Sequence, residues 1–144
     1  EAISTVRTKL LPLADLVTPN LPEAEALAEM TIKNNADMKK AGQRLQALGA
    51  KNVLVKGGHF NDQKQASDFV LLADGSSFWM SSPRIDTKRT HGTGDTISAC
   101  ITAELAKGVS MENAIRIGKA YVEATIRDGI QVGHGHGPLN HWAV

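Results

Sequence analysis

The chain has 144 residues, of which 42% are hydrophobic and 22% charged, a globular balance that excludes disorder, collagen and coiled coil and is long enough for one core. Sixteen Lys and Arg against fifteen Asp and Glu leave a formal charge of +1, too little for a field that wraps nucleic acid. A single cysteine rules out an internal disulfide and points to a reducing, cytoplasmic setting, and no apolar run approaches the ~18–20 residues of a membrane span.

The segment Glu1–Ala14 (EAISTVRTKLLPLA) reads as the tail of a helix already under way, because no capping residue precedes it. The expectation is that the amino-terminal part of a longer protein is absent. Asp15–Thr18 is a short strand, ended by Pro19. Pro22 stands where a helix first turn tolerates proline, with Glu23 and Glu25 near the positive end of the helix dipole. In Asn35–Leu48 the residues Met38, Ala41, Leu45 and Leu48 recur at helical spacing, and Gly49 supplies the stop. Asn52–Lys56 is a strand that breaks at Gly57-Gly58. Asp68–Ala73 and Ser77–Ser81 flank Asp74-Gly75-Ser76 and predict a hairpin. Pro83–Thr90 is a polar connector. Gly92–Gly94 opens a helix that runs to Lys107 and stops at Gly108. Ser110 caps a last helix to Arg127, and Gly129, Gly133, Gly135 and Gly137 belong to a glycine-rich tail.

Strand, helix, helix, strand, hairpin, helix, helix is an α/β order. The long connection between Val17 and Val53 favours parallel pairing through a helical crossover, and the hairpin adds an antiparallel element, so the sheet is expected to be mixed. If a first half is missing, one sheet edge is bare and open to pairing with a second copy.

Three features fall at carboxyl ends of strands or at a helix start, where open α/β sheets collect ligands. The first is His91-Gly92-Thr93-Gly94-Asp95-Thr96, leading straight into a helix. Small residues let a ligand approach the backbone, and the amides of Thr93, Gly94 and Asp95 at a helix start form an anion site suited to a transferring phosphoryl group. Asp95 stands beside that site, where a carboxylate can accept a proton from a substrate hydroxyl. An ordinary glycine turn with Thr93 or Asp95 as cap explains the same pattern. The second is Val53-Leu54-Val55-Lys56-Gly57-Gly58-His59, whose Lys56 ammonium can neutralise phosphate charge or simply be solvated. The third is Asn20 and Glu23, which can hold water around Mg²⁺, or can act as a helix cap and a dipole partner.

Together these are the parts phosphoryl transfer needs, although no Walker-type glycine loop and no dinucleotide fingerprint is present. His134, His136 and His141 lack Cys or carboxylate partners at a ligand spacing, so no metal site is read there. Cys100 is expected to be a core residue, not a nucleophile.

The segments TPNLPEAEAL, VLVKGGH, THGTGDTISACITAELAKG and GHGHGPLNH resemble, in matching order, the carboxyl-terminal half of the hydroxymethylpyrimidine/phosphomethylpyrimidine kinases, members of the ribokinase-like superfamily. The resemblance implies a partial three-layer α/β fold with a mostly parallel sheet, an antiparallel hairpin and flanking helices. It implies ATP and Mg²⁺ as cofactors, a small-molecule acceptor, and two successive phosphorylations on the way to thiamine diphosphate. By the same resemblance Asn20 and Glu23 lie near Mg²⁺ and phosphate, with Glu23 on the metal through water. Lys56 is the phosphate-side lysine, and Gly92, Thr93 and Gly94 form the anion hole. Residues 1–144 would then be the nucleotide and phosphate side of a kinase domain, without its acceptor-binding part. Dimerisation is common in that family, and no stripe in this chain identifies an interface.

One departure bears on substrate. The pyrimidine kinases usually carry Cys where this chain has Asp95, whereas Asp is the base in ribokinases and many pyridoxal kinases. A pyridoxal or pyridoxine kinase is therefore the alternative enzyme, and a nucleotide-binding half-domain without catalysis the alternative of another class.

Overall fold

A computed structural model describes residues 9–57, 65–83 and 93–132. The chain divides into two compact units, Glu1–Arg84 and Ile85–Val144. Among the described residues no helix is long and apolar enough to cross a membrane.

Among the described residues of the first unit, a 3-10 turn at Leu11–Leu13 precedes the sheet, and Leu11 is buried. Of the expected helical tail Glu1–Ala14, residues 1–8 lie outside the described residues, and its end is the 3-10 turn at Leu11–Leu13, with Ala14 extended. Strand β1 is Leu16–Val17. Helix α1 follows at Leu21–Ala28, with proline in its first turn. It ends on Glu29 in the left-handed region, and the Arg44 Nη1 donates to the Ala28 carbonyl at 3.1 Å, satisfying one of the orphan acceptors of that end. Helix α2, Asn35–Ala47, starts on an Asn34 cap whose Oδ1 accepts from the Asp37 N–H at 2.9 Å. It turns out at Gly49, whose φ of +122° is where a side chain would be strained.

Strand β2, Asn52–Val55, is buried at every residue. Strands β3, Gln65–Leu71, and β4, Ser77–Pro83, complete a four-stranded sheet in the order β1-β2-β3-β4. The register is parallel for β1 and β2 (Leu16↔Asn52, Val17↔Val53) and antiparallel for β2 with β3 and for β3 with β4. The sheet is thus mixed as the element order requires. Within the described residues its parallel part is confined to β1 and β2, because two hairpin-like returns follow β2. Gly75, at φ +91°, carries the turn between β3 and β4, and the Asp74 carboxylate accepts from both the hydroxyl and the amide of Ser76, which hold its pKa below the ordinary value.

The core of this unit lies between the two helices and one face of the sheet. Ala24 and Ala28 of α1 and Met38, Ala41 and Leu45 of α2 pack with Val53, Val55, Phe69 and Leu71. Buried Asn52 pins the amino edge of β1 and β2: its Nδ2 donates to the Asp15 carbonyl at 2.7 Å while its Oδ1 accepts from the Ala73 N–H at 2.8 Å.

The second unit contains helix α3, Thr93–Ala106, and helix α4, Met111–Val132. They pack through Ile97 and Ile101 of α3 and Ala114 and Ile115 of α4, all buried, at the small residue Gly118. The Ser110 Oγ accepts from the Asn113 N–H at 3.3 Å, as a cap residue should. Helix α4 runs past the expected end at Arg127 and includes Gly129. A lone glycine costs about 1 kcal/mol against alanine in a helix, which does not stop a helix of this length from propagating. Cys100 is half-buried and not in the core: the inward face of α3 is taken by Ile97 and Ile101, one turn apart, and Cys100 lies at its margin.

Candidate active site

The sequence Asn-Leu-Pro-Glu builds the first of the candidate features, which lies in the first unit. Asn20 has extended backbone and caps α1, its Oδ1 accepting from the Glu23 N–H at 2.8 Å. The Glu23 Oε1 in turn accepts from the Asn20 N–H at 2.9 Å. This reciprocal pair is a capping box, and it satisfies two donors that a helix start leaves without partners. Both residues are exposed at the point where β1 passes into α1.

Lys56 follows directly on β2. Its N–H donates to the carbonyl of Pro19 at 2.8 Å, so the parallel pairing continues beyond the ends of both strands. Asn20 and Lys56 therefore leave the sheet side by side at its carboxyl edge. The structure brings Asn20, Glu23 and Lys56 to one edge of the first unit.

The next residue, Gly57, owes its place to β3. A Cβ there would stand 1.6 Å from the Ser67 carbonyl oxygen, a distance no backbone atom can yield to. The Gly57 N–H donates to the Oδ1 of buried Asp68 at 2.7 Å. In the sequence Gly57 marks a strand break and Asp68 the start of a strand. The signal available was a carboxylate leading directly into the apolar run Phe69-Val70-Leu71-Leu72.

In the second unit, Thr93, Gly94 and Asp95 occupy the first turn of α3, and Gly92 lies outside the described residues. The first amides of a helix lack intrahelical partners, so α3 opens with donors at its positive end. Thr96, the next residue, is buried, as is Ile97. The Cys100 thiol, further along α3, is raised above its ordinary value by burial, with the Glu104 carboxylate adding to the effect and Lys107 opposing it. That keeps it a thiol rather than a nucleophilic thiolate near neutrality. His134, His136 and His141 lie outside the described residues.

Among the described residues no cluster of three or more His, Cys, Asp or Glu is placed to hold a metal. Glu23, the acidic residue of the Asn-Leu-Pro-Glu motif, offers a single carboxylate. That fits a hard cation which takes one or two carboxylates and completes its shell with water and phosphate oxygens.

The model of a family described as phosphomethylpyrimidine kinase matches residues 1–140. The chain is 51% identical over 99% of its length to a hydroxymethylpyrimidine/phosphomethylpyrimidine kinase of Haemophilus influenzae, of which it covers 54%. It is 47% identical over 97% of its length to the thiamine biosynthesis bifunctional protein ThiED of Geobacter sulfurreducens, of which it covers 28%. Among solved structures it is similar to an ADP complex of Bacillus subtilis pyridoxal kinase, with a TM-score of 0.81 and 38% identity over 88% of this chain and 47% of that one. The chain spans about half the length of the single-function kinases it matches. The sequence resemblance is thus borne out over nearly every residue, and the chain belongs to the phosphomethylpyrimidine kinase family.

Proposed function

We propose that these 144 residues are the nucleotide- and phosphate-binding part of an ATP-dependent kinase that phosphorylates 4-amino-5-hydroxymethyl-2-methylpyrimidine and then its monophosphate, in the synthesis of thiamine diphosphate. The observation that carries this reading is the family match across residues 1–140. The ADP complex of the related pyridoxal kinase supports a nucleotide donor.

In this reading the hydroxymethyl oxygen attacks the γ-phosphorus in line. A new O–P bond forms, the bond to the bridging oxygen of ADP breaks, and the hydroxyl proton passes to Asp95. The amides of Thr93, Gly94 and Asp95, with Gly92 as a further member of the proposed anion hole, hold the charge that develops on the phosphoryl oxygens. Lys56 offsets phosphate charge from the end of β2. Asn20 and Glu23 would hold Mg²⁺ through water, with Glu23 as the carboxylate, and that ion would neutralise further phosphate charge. The acceptor is a small heterocycle, no nucleic acid or membrane takes part, and the setting is cytoplasmic. The homodimer common in the family belongs to the same reading, and sedimentation velocity tests it.

A second reading, pyridoxal or pyridoxine kinase, is favoured by Asp95 itself and by the 38% identity to the Bacillus subtilis enzyme. ADP release measured with each heterocycle separates the two. Faster turnover of the pyrimidine is the expected result, and faster turnover of pyridoxal overturns it. The division of labour is tested on the purified chain alone. It should bind ATP weakly and turn over poorly, since it covers 54% of a complete kinase. Robust phosphorylation by the chain alone overturns the assignment of the acceptor site to another segment. Nucleotide binding with no turnover by a chain extended to its relatives' length would instead identify a binding half-domain.

A further inference from the structure

Asp68 is 5% exposed and leads β3 into the core. A carboxylate is costly at such a position unless it is paired or hydrogen-bonded. Its Oδ1 takes the Gly57 N–H at 2.7 Å, the short distance of a charge-assisted bond. The antiparallel ladder between β2 and β3 has its last pair at Val55↔Phe69. Beyond it a side chain, not a main-chain carbonyl, accepts the next β2-side amide. The residue so bracketed is Lys56. On one side its N–H is tied to the Pro19 carbonyl at 2.8 Å, and on the other the amide that follows it is tied to Asp68. Gly57 allows this because any Cβ would collide with the Ser67 carbonyl. The backbone of Lys56 is thereby fixed from β1 and from β3 at once.

We propose that Asp68 is a positioning residue for the lysine. By holding the Gly57 amide it sets the direction in which Lys56 leaves the carboxyl end of β2, and so where the ammonium meets nucleotide phosphate. This deepens the kinase reading above and rests on it. A carboxylate that merely fastened β2 to β3 would serve stability alone, and the two roles separate experimentally.

The test is a double-mutant cycle on Asp68 and Lys56 in the protein that carries this chain, with the KM for ATP, the KM for the heterocycle, thermal stability and hydrogen exchange of the Gly57 amide as readouts. Loss of a hydrogen bond to a charged group predicts that Asp68→Ala raises the KM for ATP about ten- to a hundredfold, with Gly57 exchanging faster and the heterocycle KM unchanged. Asp68→Asn keeps an acceptor of about half the strength, so its ATP KM should rise only about threefold. In a Lys56→Ala background either change should add less than about twofold, because coupled residues are not additive. If Asp68→Ala fails to fold, Asp68→Asn decides. An ATP KM equal to wild type, or an effect fully additive with Lys56→Ala, overturns the proposal and leaves Asp68 a fastening of the sheet. A wild-type protein that phosphorylates neither heterocycle overturns the kinase reading and this inference with it, whereas an active wild type with unaffected Asp68 variants overturns the inference alone.

Discussion

The backbone N–H of Lys56 and the carbonyl of Pro19 meet at 2.8 Å, one step beyond the regular pairing of β1 and β2. Parallel strands point their carboxyl ends the same way, so this bond puts a lysine and the Asn20 cap of α1 on the same edge. The chain between them folds as two helices whose apolar faces cover the sheet. The neighbourhood of the two motifs is therefore a consequence of the crossover and does not depend on any contact between their side chains.

Asn20 and Glu23 serve as a capping box, and the same two residues are proposed near Mg²⁺; substitutions separate the roles. Asn20→Ala removes the acceptor of the Glu23 amide and should lower stability by about 0.5–2 kcal/mol. Glu23→Gln keeps an oxygen for the Asn20 amide, since Gln also serves in capping boxes, but loses the charge. Its melting temperature should stay near wild type while the Mg²⁺ concentration needed for half-maximal ATP turnover rises. Unchanged Mg²⁺ dependence would leave Glu23 a cap and nothing more.

Two helix glycines are held by packing. A Cβ on Gly42 of α2 would stand 2.9 Å from the Phe69 ring, and one on Gly118 of α4 would stand 2.9 Å from the Ile101 side chain and 3.2 Å from that of Ile97. The Phe69 ring has little room to tip, because Trp79 lies against it with 4.9 Å between centroids. Alanine gains about 1 kcal/mol of helix propensity over glycine, and overpacking a filled core costs about 1–3 kcal/mol. Gly42→Ala should therefore lower the melting temperature, and Gly118→Ala should do so to a smaller extent because an isoleucine rotamer can adjust. A raised melting temperature for Gly42→Ala would show that α2 moves away from the sheet without cost.

What the sequence reveals here is whatever local chemistry decides. The spacing of Met38, Ala41 and Leu45 places α2, and all three are buried. Asp74-Gly75-Ser76 places the hairpin, and the length between Val17 and Val53 gives the parallel pair. The cap at Asn20 is equally visible, because its partner Glu23 is only three residues away. Gly57 and Asp68 are different. Their bond joins residues eleven apart that meet only once β3 returns along β2, so no window of sequence contains the collision at Ser67 that makes glycine necessary. The end of α4 misleads for the opposite reason: Gly129 looks locally like a stop, and the helix as a whole overrides it. Cys100 is apolar enough for a core, but the adjacent turns of α3 supply larger residues to fill it.

The half-buried Cys100 thiol gives a pH-dependent signature. Burial disfavours its thiolate first, and Glu104 adds to this, so its folded pKa lies above the unfolded value. A thiol raised in the folded state contributes stability at pH below the unfolded value, and that contribution is lost as the pH rises through the unfolded value toward the folded one. Alkylation by iodoacetamide should accordingly be slower than for a free thiol near neutrality and approach the free rate only at pH above the free thiol's own pKa. In the purified chain, whose one cysteine this is, Cys100→Ser should remove the alkylation. A midpoint at or below that of a free thiol would mean that Cys100 is activated, contrary to its surroundings.

Asp95 stands in the first turn of α3, where the helix already offers amides and a positive dipole end. In the proposed kinase, Asp95 accepts the proton of the acceptor hydroxyl. Asp95→Ala should then lower kcat by about 10²–10⁴, the usual loss for a general base, with the KM for ATP nearly unchanged. Asp95→Asn, which keeps the shape and loses the basicity, should fall as far, and both variants should lose the acidic limb of the pH–rate profile. Asp95→Cys restores the residue usual in the pyrimidine kinases and should shift relative turnover toward the pyrimidine over pyridoxal. Retention of the wild-type rate by Asp95→Asn would remove the base from this position and leave Asp95 a first-turn acidic residue of α3.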